Sequence, residues 1–312
     1  MKKILVICLA VLLVAAASVY LLVPSSLTMS SIAYIHCPDN AAGRFLSDEN
    51  KWQSWWPGSK SGSKNELSYT YDNIGFKPLE KAFSGTKLAT TINGVTLNGT
   101  MVHAKSSYDS IVVVWQYGLK TSNNPFTRVG QYLQLKKLKG ATAAILAHLK
   151  DFLENRDNVY GLAIREIRVT DTLLVSSFFE SAQPPAMEAI YHSIDQLKQH
   201  IAGNGTQETG FPMLNVSRID KDHYKTRVAI PVSKAVPAGG GIEIKKMVPG
   251  RILVSEVKGG PAAIEKAYAQ FREYLLDYDL ASPAIPFESL VTKRIPVKDS
   301  ATWITRIYYP IL

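Results

Sequence analysis

Uncharged positions run without a break from Ile4 to Val23, with Lys2-Lys3 before them and Pro24 after. A helix of that length would cover about 30 Å, the hydrocarbon thickness of a bilayer. The stretch predicts a membrane anchor over residues 1–24, crossing once through residues 4–23. Lys2 and Lys3 would stay inside, and the remainder would lie on the periplasmic side. The alternative is secretion after cleavage of a signal segment at Ala15-Ala16-Ala17.

From residue 25 to about 157 the pattern changes to short alternating runs. Ser25–Ala33 reads as a strand, and Pro38-Asp39-Asn40 offers caps for a short helix through Phe45. Alternation then predicts strands at 67–72, 86–92, 95–103, 110–117 and 126–138, with Asn93-Gly94 as a hairpin turn. After Gly140 the spacing becomes helical to about Asn155, placing Ile145, Leu146, Leu149, Phe152 and Leu153 on one face.

Residues 158–312 read as one pattern written twice. A strand at about 162–180 carries Leu174-Val175-Ser176, and Leu253-Val254-Ser255 stands in its counterpart. Pro184 opens a helix stopped by Gly203, and Pro261 opens another; Pro184, Glu188 and Tyr191 fall 77 positions before Pro261, Glu265 and Tyr268. Leu214–Ile219 echoes Leu290–Ile295 at an offset of 76, and Thr226–Val232 echoes Thr305–Leu312 at 79. Four echoes in one order predict two βαββ units, each completing the other around a groove on a pseudo-two-fold axis. Period-2 geometry puts Arg306 and Tyr308 on one face of the last strand, with Arg227 as the equivalent of Arg306. Two arginines there could clamp a carboxylate or phosphate; equally, they could be exposed or paired with Glu180, Glu243 or Glu256.

Two family resemblances follow from these residues. The opening strand, Phe45-Leu46-Ser47-Asp48, Trp52-x-x-Trp55-Trp56-Pro57-Gly58 and the closing helix resemble the polyketide cyclase/START-like (SRPBCC) superfamily over about 25–157. That likeness implies a helix-grip fold with an apolar cavity, for which Trp52, Trp55, Trp56, Trp115 and Tyr117 are candidate lining residues. Core or rim packing is the plain alternative for these rings. The duplicated half resembles the GyrI-like effector-binding domain, best at Val254–Pro261 and at Trp303-Ile-Thr-Arg-Ile-Tyr-Tyr-Pro310-Ile311. That family usually binds small, often cationic, aromatic molecules. It commonly has an acid where this chain has Arg306, so the likeness implies the architecture and leaves the ligand preference open.

Composition adds little. The net charge of +9 suits anionic partners, but the basic residues are scattered. The six histidines and two cysteines show no metal-ligand spacing, and no phosphate-binding loop or nucleophile elbow is present. No cofactor and no nucleic-acid partner is expected. The reading is an α+β chain: transmembrane helix, START-like domain, then a GyrI-like domain. Its expected function is binding of a small apolar or amphipathic molecule, anions included, through candidates Glu180, Arg227, Glu256, Arg306 and Tyr308 in the second domain. The alternatives are a cyclase-like or GyrI-like hydrolase acting on a small hydrophobic substrate, and a structural envelope protein.

Overall fold

The computed structural model describes residues 2–62, 67–82, 84–169, 172–295, 297 and 299–312. The chain divides into two compact units, Met1–Asn155 and Arg156–Leu312. Both are mixed α+β structures built on antiparallel sheets.

Helix α1 spans Lys2–Leu22. The side chains at 2, 3, 5, 6, 8–10, 12, 13 and 15 lie outside the described residues, Cys8 among them. Among the described residues no helix is long and apolar enough to cross a membrane. This overturns the expected single-pass location. The end of α1 is instead tied to polar groups of the first unit. The Tyr20 hydroxyl donates to the Asn123 carbonyl. Buried Arg128 donates from Nε to the Val23 carbonyl at 2.7 Å and lies 5.0 Å from the Tyr20 ring.

The first unit continues through β1 (Ser26–Ile35) and α2 (Asp39–Leu46) to β2 (Ser59–Ser61), β3 (Ser68–Tyr71), β4 (Ile74–Ala82), β5 (Gly85–Ile92), β6 (Val95–Ser107) and β7 (Ser110–Lys120). Helix α3 (Pro125–Glu154) closes it. The sheet runs β1-β7-β6-β5-β4-β3-β2. Buried and open positions alternate along β1, β5 and β7, so one face packs inward. Gly99 is required by its cross-strand neighbour, since a Cβ there would meet the Tyr117 ring at 2.3 Å.

Two expectations fail here. The 126–138 segment is helical: Asn124 Oδ1 accepts from the amides of Phe126 at 3.0 Å and Thr127 at 3.3 Å, and Pro125 occupies the first helical position. From that cap one buried face runs through Leu135, Leu138, Thr142, Ile145 and Leu149. Strand β4 was not expected, because Lys77, Pro78 and Lys81 break its pattern. It carries an irregularity between Pro78 and Glu80, where a missing N–H is tolerated.

After the short helix α4 (Arg156–Tyr160), the second unit holds β8 (Arg165–Val169), β9 (Leu173–Ser181), α5 (Met187–Gly203), β10 (Met213–Asp220) and β11 (His223–Val232). It continues with β12 (Glu243–Lys246), β13 (Gly250–Lys258), α6 (Pro261–Asp277), β14 (Phe287–Leu290) and β15 (Ile304–Ile311). The sheet order β12-β9-β11-β10-β14-β15-β13-β8 reads the same from either end once the copies are matched. The axis falls between β10 and β14, where Leu214 pairs with Glu288 and Met213 with Ser289. The outermost strands are exchanged: β8 pairs with β13 of the other copy, and β12 with β9.

Register refines the echoes. Pro231 pairs with Leu174, and Pro310 pairs with Ile252, so Val175 matches Leu253 and not Val254. The Leu-Val-Ser likeness is therefore one residue out. Adopting it would send Val175, fully buried against α5, to the opposite face. Strand β14 ends at Leu290, so Leu290–Ile295 is not a counterpart strand to Leu214–Ile219. The Thr226 and Thr305 strands match as expected, with Thr226, Val228 and Ile230 turned toward α5 and Thr305, Ile307 and Ile311 buried likewise.

Candidate binding groove

Alternation on β11 and β15 decides what faces away from the helices. With Thr226, Val228 and Ile230 committed to the core, Arg227, Ala229 and Pro231 must point to the other face. The same holds for Arg306, Tyr308 and Pro310. That face carries two cavities. One, of about 170 Å³, is lined by Leu174, Ser176, Phe178, Arg227, Ala229 and Lys245, among others. The other, of about 420 Å³, is lined by Arg168, Phe211, Ile252, Ser289, Arg306 and Tyr308, among others.

Met213 and Phe287 line both cavities, which makes the pair a groove divided at the axis. They are equivalent positions: Met213 pairs with Ala229, and Phe287 with Tyr308. The Phe287 and Tyr308 rings stack with centroids 4.9 Å apart at 11°. The smaller cavity has mostly apolar walls with a few placed polar groups, the usual composition of a small-molecule site, while the larger is mixed, with Arg168, Thr209, Ser289, Arg306 and Tyr308 on its lining.

The charges are not symmetric. Arg306 Nε donates to Glu256 Oε2 at 3.1 Å, its direct register partner, and the guanidinium lies 6.0 Å from the Phe211 ring. Arg227 faces Phe178 in the equivalent register. Its one polar contact among the described residues is Nη1 donating to Asn215 Oδ1 at 3.4 Å. Asn215 is held in turn, with Nδ2 donating to the Pro286 carbonyl at 2.8 Å and Oδ1 accepting from Ser217 at 2.7 Å.

Of the residues singled out from sequence, Arg227, Arg306 and Tyr308 come together on this face, with Glu256 beside Arg306. Glu180 and Glu243 line neither cavity. Glu180 is bound by Lys225 at 3.2 Å and His223 at 3.0 Å, and Glu243 by Lys245 at 2.9 Å. Hydrogen bonds from Lys225 and then His223 hold the exposed Glu180 carboxyl below its usual range, and Lys245 does the same for Glu243. The groove residues that sequence reasoning missed are Met213, Phe287, Phe178, Asn215, Lys245 and Arg168. Only strand pairing brings them to the arginines.

The five aromatic candidates of the first unit are all buried and pack on one another. Trp52 stacks on Trp56 at 6.0 Å, Trp56 meets Trp115 at 6.3 Å, and Trp115 stacks on Tyr117 at 6.4 Å. Trp55 sits 5.5 Å from Trp52. Trp52 donates to the Leu46 carbonyl at 3.1 Å and Trp56 to the Thr70 carbonyl at 3.0 Å. Burial pushes the Tyr117 hydroxyl up, and it shares a 2.6 Å hydrogen bond with Thr90.

No family model matches the chain, and no curated protein matches its sequence. Among solved structures, the chain is similar to the EcmrR C-terminal domain at 16% identity and a TM-score of 0.42, covering 48% of this chain and 98% of that one. It is also similar to EcmrR in a complex with DNA at 17% identity and 0.43, covering 60% and 70%. A third is SAV2435, solved bound to tetraphenylphosphonium, at 14% identity and 0.33, covering 48% and 94%. At these scores they are likenesses only, and what those proteins bind or do does not pass to this chain through them. Nor does any of them support the expectation that nucleic acid is not a partner.

Proposed function

We propose that this chain is a non-catalytic binding protein that takes a small amphipathic molecule in the groove of its second unit. The carrying observation is the pair of cavities sharing Met213 and Phe287 on the sheet face that α5 and α6 leave bare. In this reading the second unit is a duplicated GyrI-like domain, supported by the palindromic strand order, and the first is a START-like domain. Support for the first comes from the seven-stranded antiparallel sheet and long closing helix. The carboxylates nearest the groove argue against proton transfer. They are exposed and ion-paired, whereas a general acid needs a buried group with a raised pKa.

The test is a titration of the full chain with N-phenyl-1-naphthylamine, an uncharged apolar fluorophore. Ala229 sits mid-groove with its methyl on the open face, and Ala229→Trp would fill the smaller cavity without touching the core. The variant is expected to weaken binding about tenfold or more, equivalent to about 1.4 kcal/mol. Unchanged binding would remove the smaller cavity from consideration.

A further inference from the structure

The groove's pseudo-symmetry is broken at one position that decides its charge. In the second copy Glu256 lies directly across the ladder from Arg306 and binds it. In the first copy the equivalent residue is Phe178, directly across from Arg227. Arg306 is therefore matched by a carboxylate, and Arg227 is matched by a ring. Resting on the reading of the groove as a ligand site, we propose that the half-groove around Arg227 selects monoanions: small aromatic or short-chain molecules carrying one carboxylate or sulfonate.

The chemistry of that half supports the choice. Its lining includes two cations, Arg227 and Lys245, and no carboxylate. Lys245 is already bound by Glu243, so Arg227 is the uncommitted charge. Arg227 is half-buried and makes no ion pair among the described residues. A guanidinium presents a planar fork of N–H donors that fits a carboxylate or sulfonate edge through two parallel hydrogen bonds. Asn215 takes one N–H and, being fixed by Pro286 and Ser217, holds the fork toward the cavity; it is a positioning residue. Phe178 and Met213 offer apolar surface for the ligand body. A cation entering here would meet the Arg227 guanidinium, while the neighbouring carboxylates Glu243 and Glu180 are already held by Lys245 and Lys225, so the site discriminates by repulsion as well as attraction.

Calorimetric titration of the full chain with three probes sharing one ring system tests this: naphthalene-2-sulfonate, 2-naphthalenemethanol and 2-naphthylmethylammonium. The sulfonate is expected to bind about tenfold or more tightly than the alcohol, and the ammonium more weakly than either. Arg227→Gln should bring the sulfonate down to the alcohol's affinity. Phe178→Glu, which copies the Glu256 arrangement and would pair with Arg227, should cancel the sulfonate's advantage over the alcohol. Lys87→Gln, an exposed cation of the first unit, should leave the sulfonate's advantage in place. Equal affinity for the three probes, or an advantage that survives Arg227→Gln, overturns the anion assignment. If Ala229→Trp nevertheless abolishes binding of the alcohol, the groove itself stands and only the charge inference falls. If Ala229→Trp changes nothing, the half-groove around Arg227 is not the site and the inference falls with it. Phe178 and Arg227 lie on the helix-free face, and unchanged thermal unfolding of each variant confirms the fold.

Discussion

Arg294→Met is expected to destabilise the second unit by about 3–5 kcal/mol, the cost of removing one partner of a buried ion pair. Arg294 is only 7% exposed and lies in the turn after β14. Its Nη2 donates to Glu288 Oε2 at 2.7 Å and to Thr305 Oγ1 at 2.9 Å, and the guanidinium lies 5.2 Å from the Trp303 ring. Its backbone N–H donates to the Tyr191 hydroxyl at 2.6 Å. One residue thus joins α5, β14 and β15 behind the pseudo-two-fold axis. Methionine keeps most of the volume and the backbone contact, so the loss isolates the charge. Glu288 would then be left half-buried without its cation, opposite Leu214 at the seam of the two copies. Urea unfolding of the full chain measures the effect, and Glu288→Gln in the same background should recover part of it. A loss below about 1 kcal/mol, the value of an exposed pair, would show that this bridge is dispensable.

Trp52→Ala is expected to cost about 3–5 kcal/mol in the first unit, the range for removing a large buried aromatic. Trp52 is 0% exposed and touches Trp55, Trp56 and Tyr69 with centroids 5.5–6.0 Å apart. Its Nε1 is satisfied by the Leu46 carbonyl, so truncation also leaves that acceptor without a donor. The ring therefore joins the helix end at Leu46 to the β3 strand through Tyr69, whose hydroxyl donates to the Glu49 carbonyl. Burial, followed by the charges of Glu49 and Asp48, pushes the Tyr69 hydroxyl up to about 12. Unfolding of the first unit by urea gives the number. A variant of near-native stability that loses affinity for an apolar probe would support Trp52 as a cavity-lining residue.

How much of this was legible beforehand depended on which interaction decides each element. The Thr226–Val232 and Thr305–Leu312 echo was readable because those strands are central and alternate fully between core and groove. The two helices were readable from their apolar spacing, but α5 starts at Met187, three residues after Pro184, whereas Pro261 is the first residue of α6, so the helix bounds repeat at 74 and not at 77. The exchange of β8 and β12 between copies was hidden, since Arg-Glu-Ile-Arg-Val and Glu-Ile-Lys-Lys are short, charged and mostly exposed. The Leu-Val-Ser likeness misled by one residue because both faces of β9 and β13 carry apolar groups there. Helix α3 was misread over 126–138 because Val129, Leu133 and Leu135 stand at even spacing, while the deciding signal was the Asn124-Pro125 cap. The arginines of the groove were found from period 2 alone. Glu256 was already a candidate partner; that it pairs with Arg306, and that Phe178 stands across from Arg227, needed the ladder register.

The most direct test of the central claim is methyl NMR of the full chain, labelled at methionine and alanine, titrated with naphthalene-2-sulfonate. Met213, at the division of the groove, and Ala229, beside Arg227, are predicted to shift together and saturate at one ligand concentration. Met29 and Met101, buried in the first unit, should stay in place. Saturable shifts at Met29 or Met101 with Met213 and Ala229 silent would contradict the account.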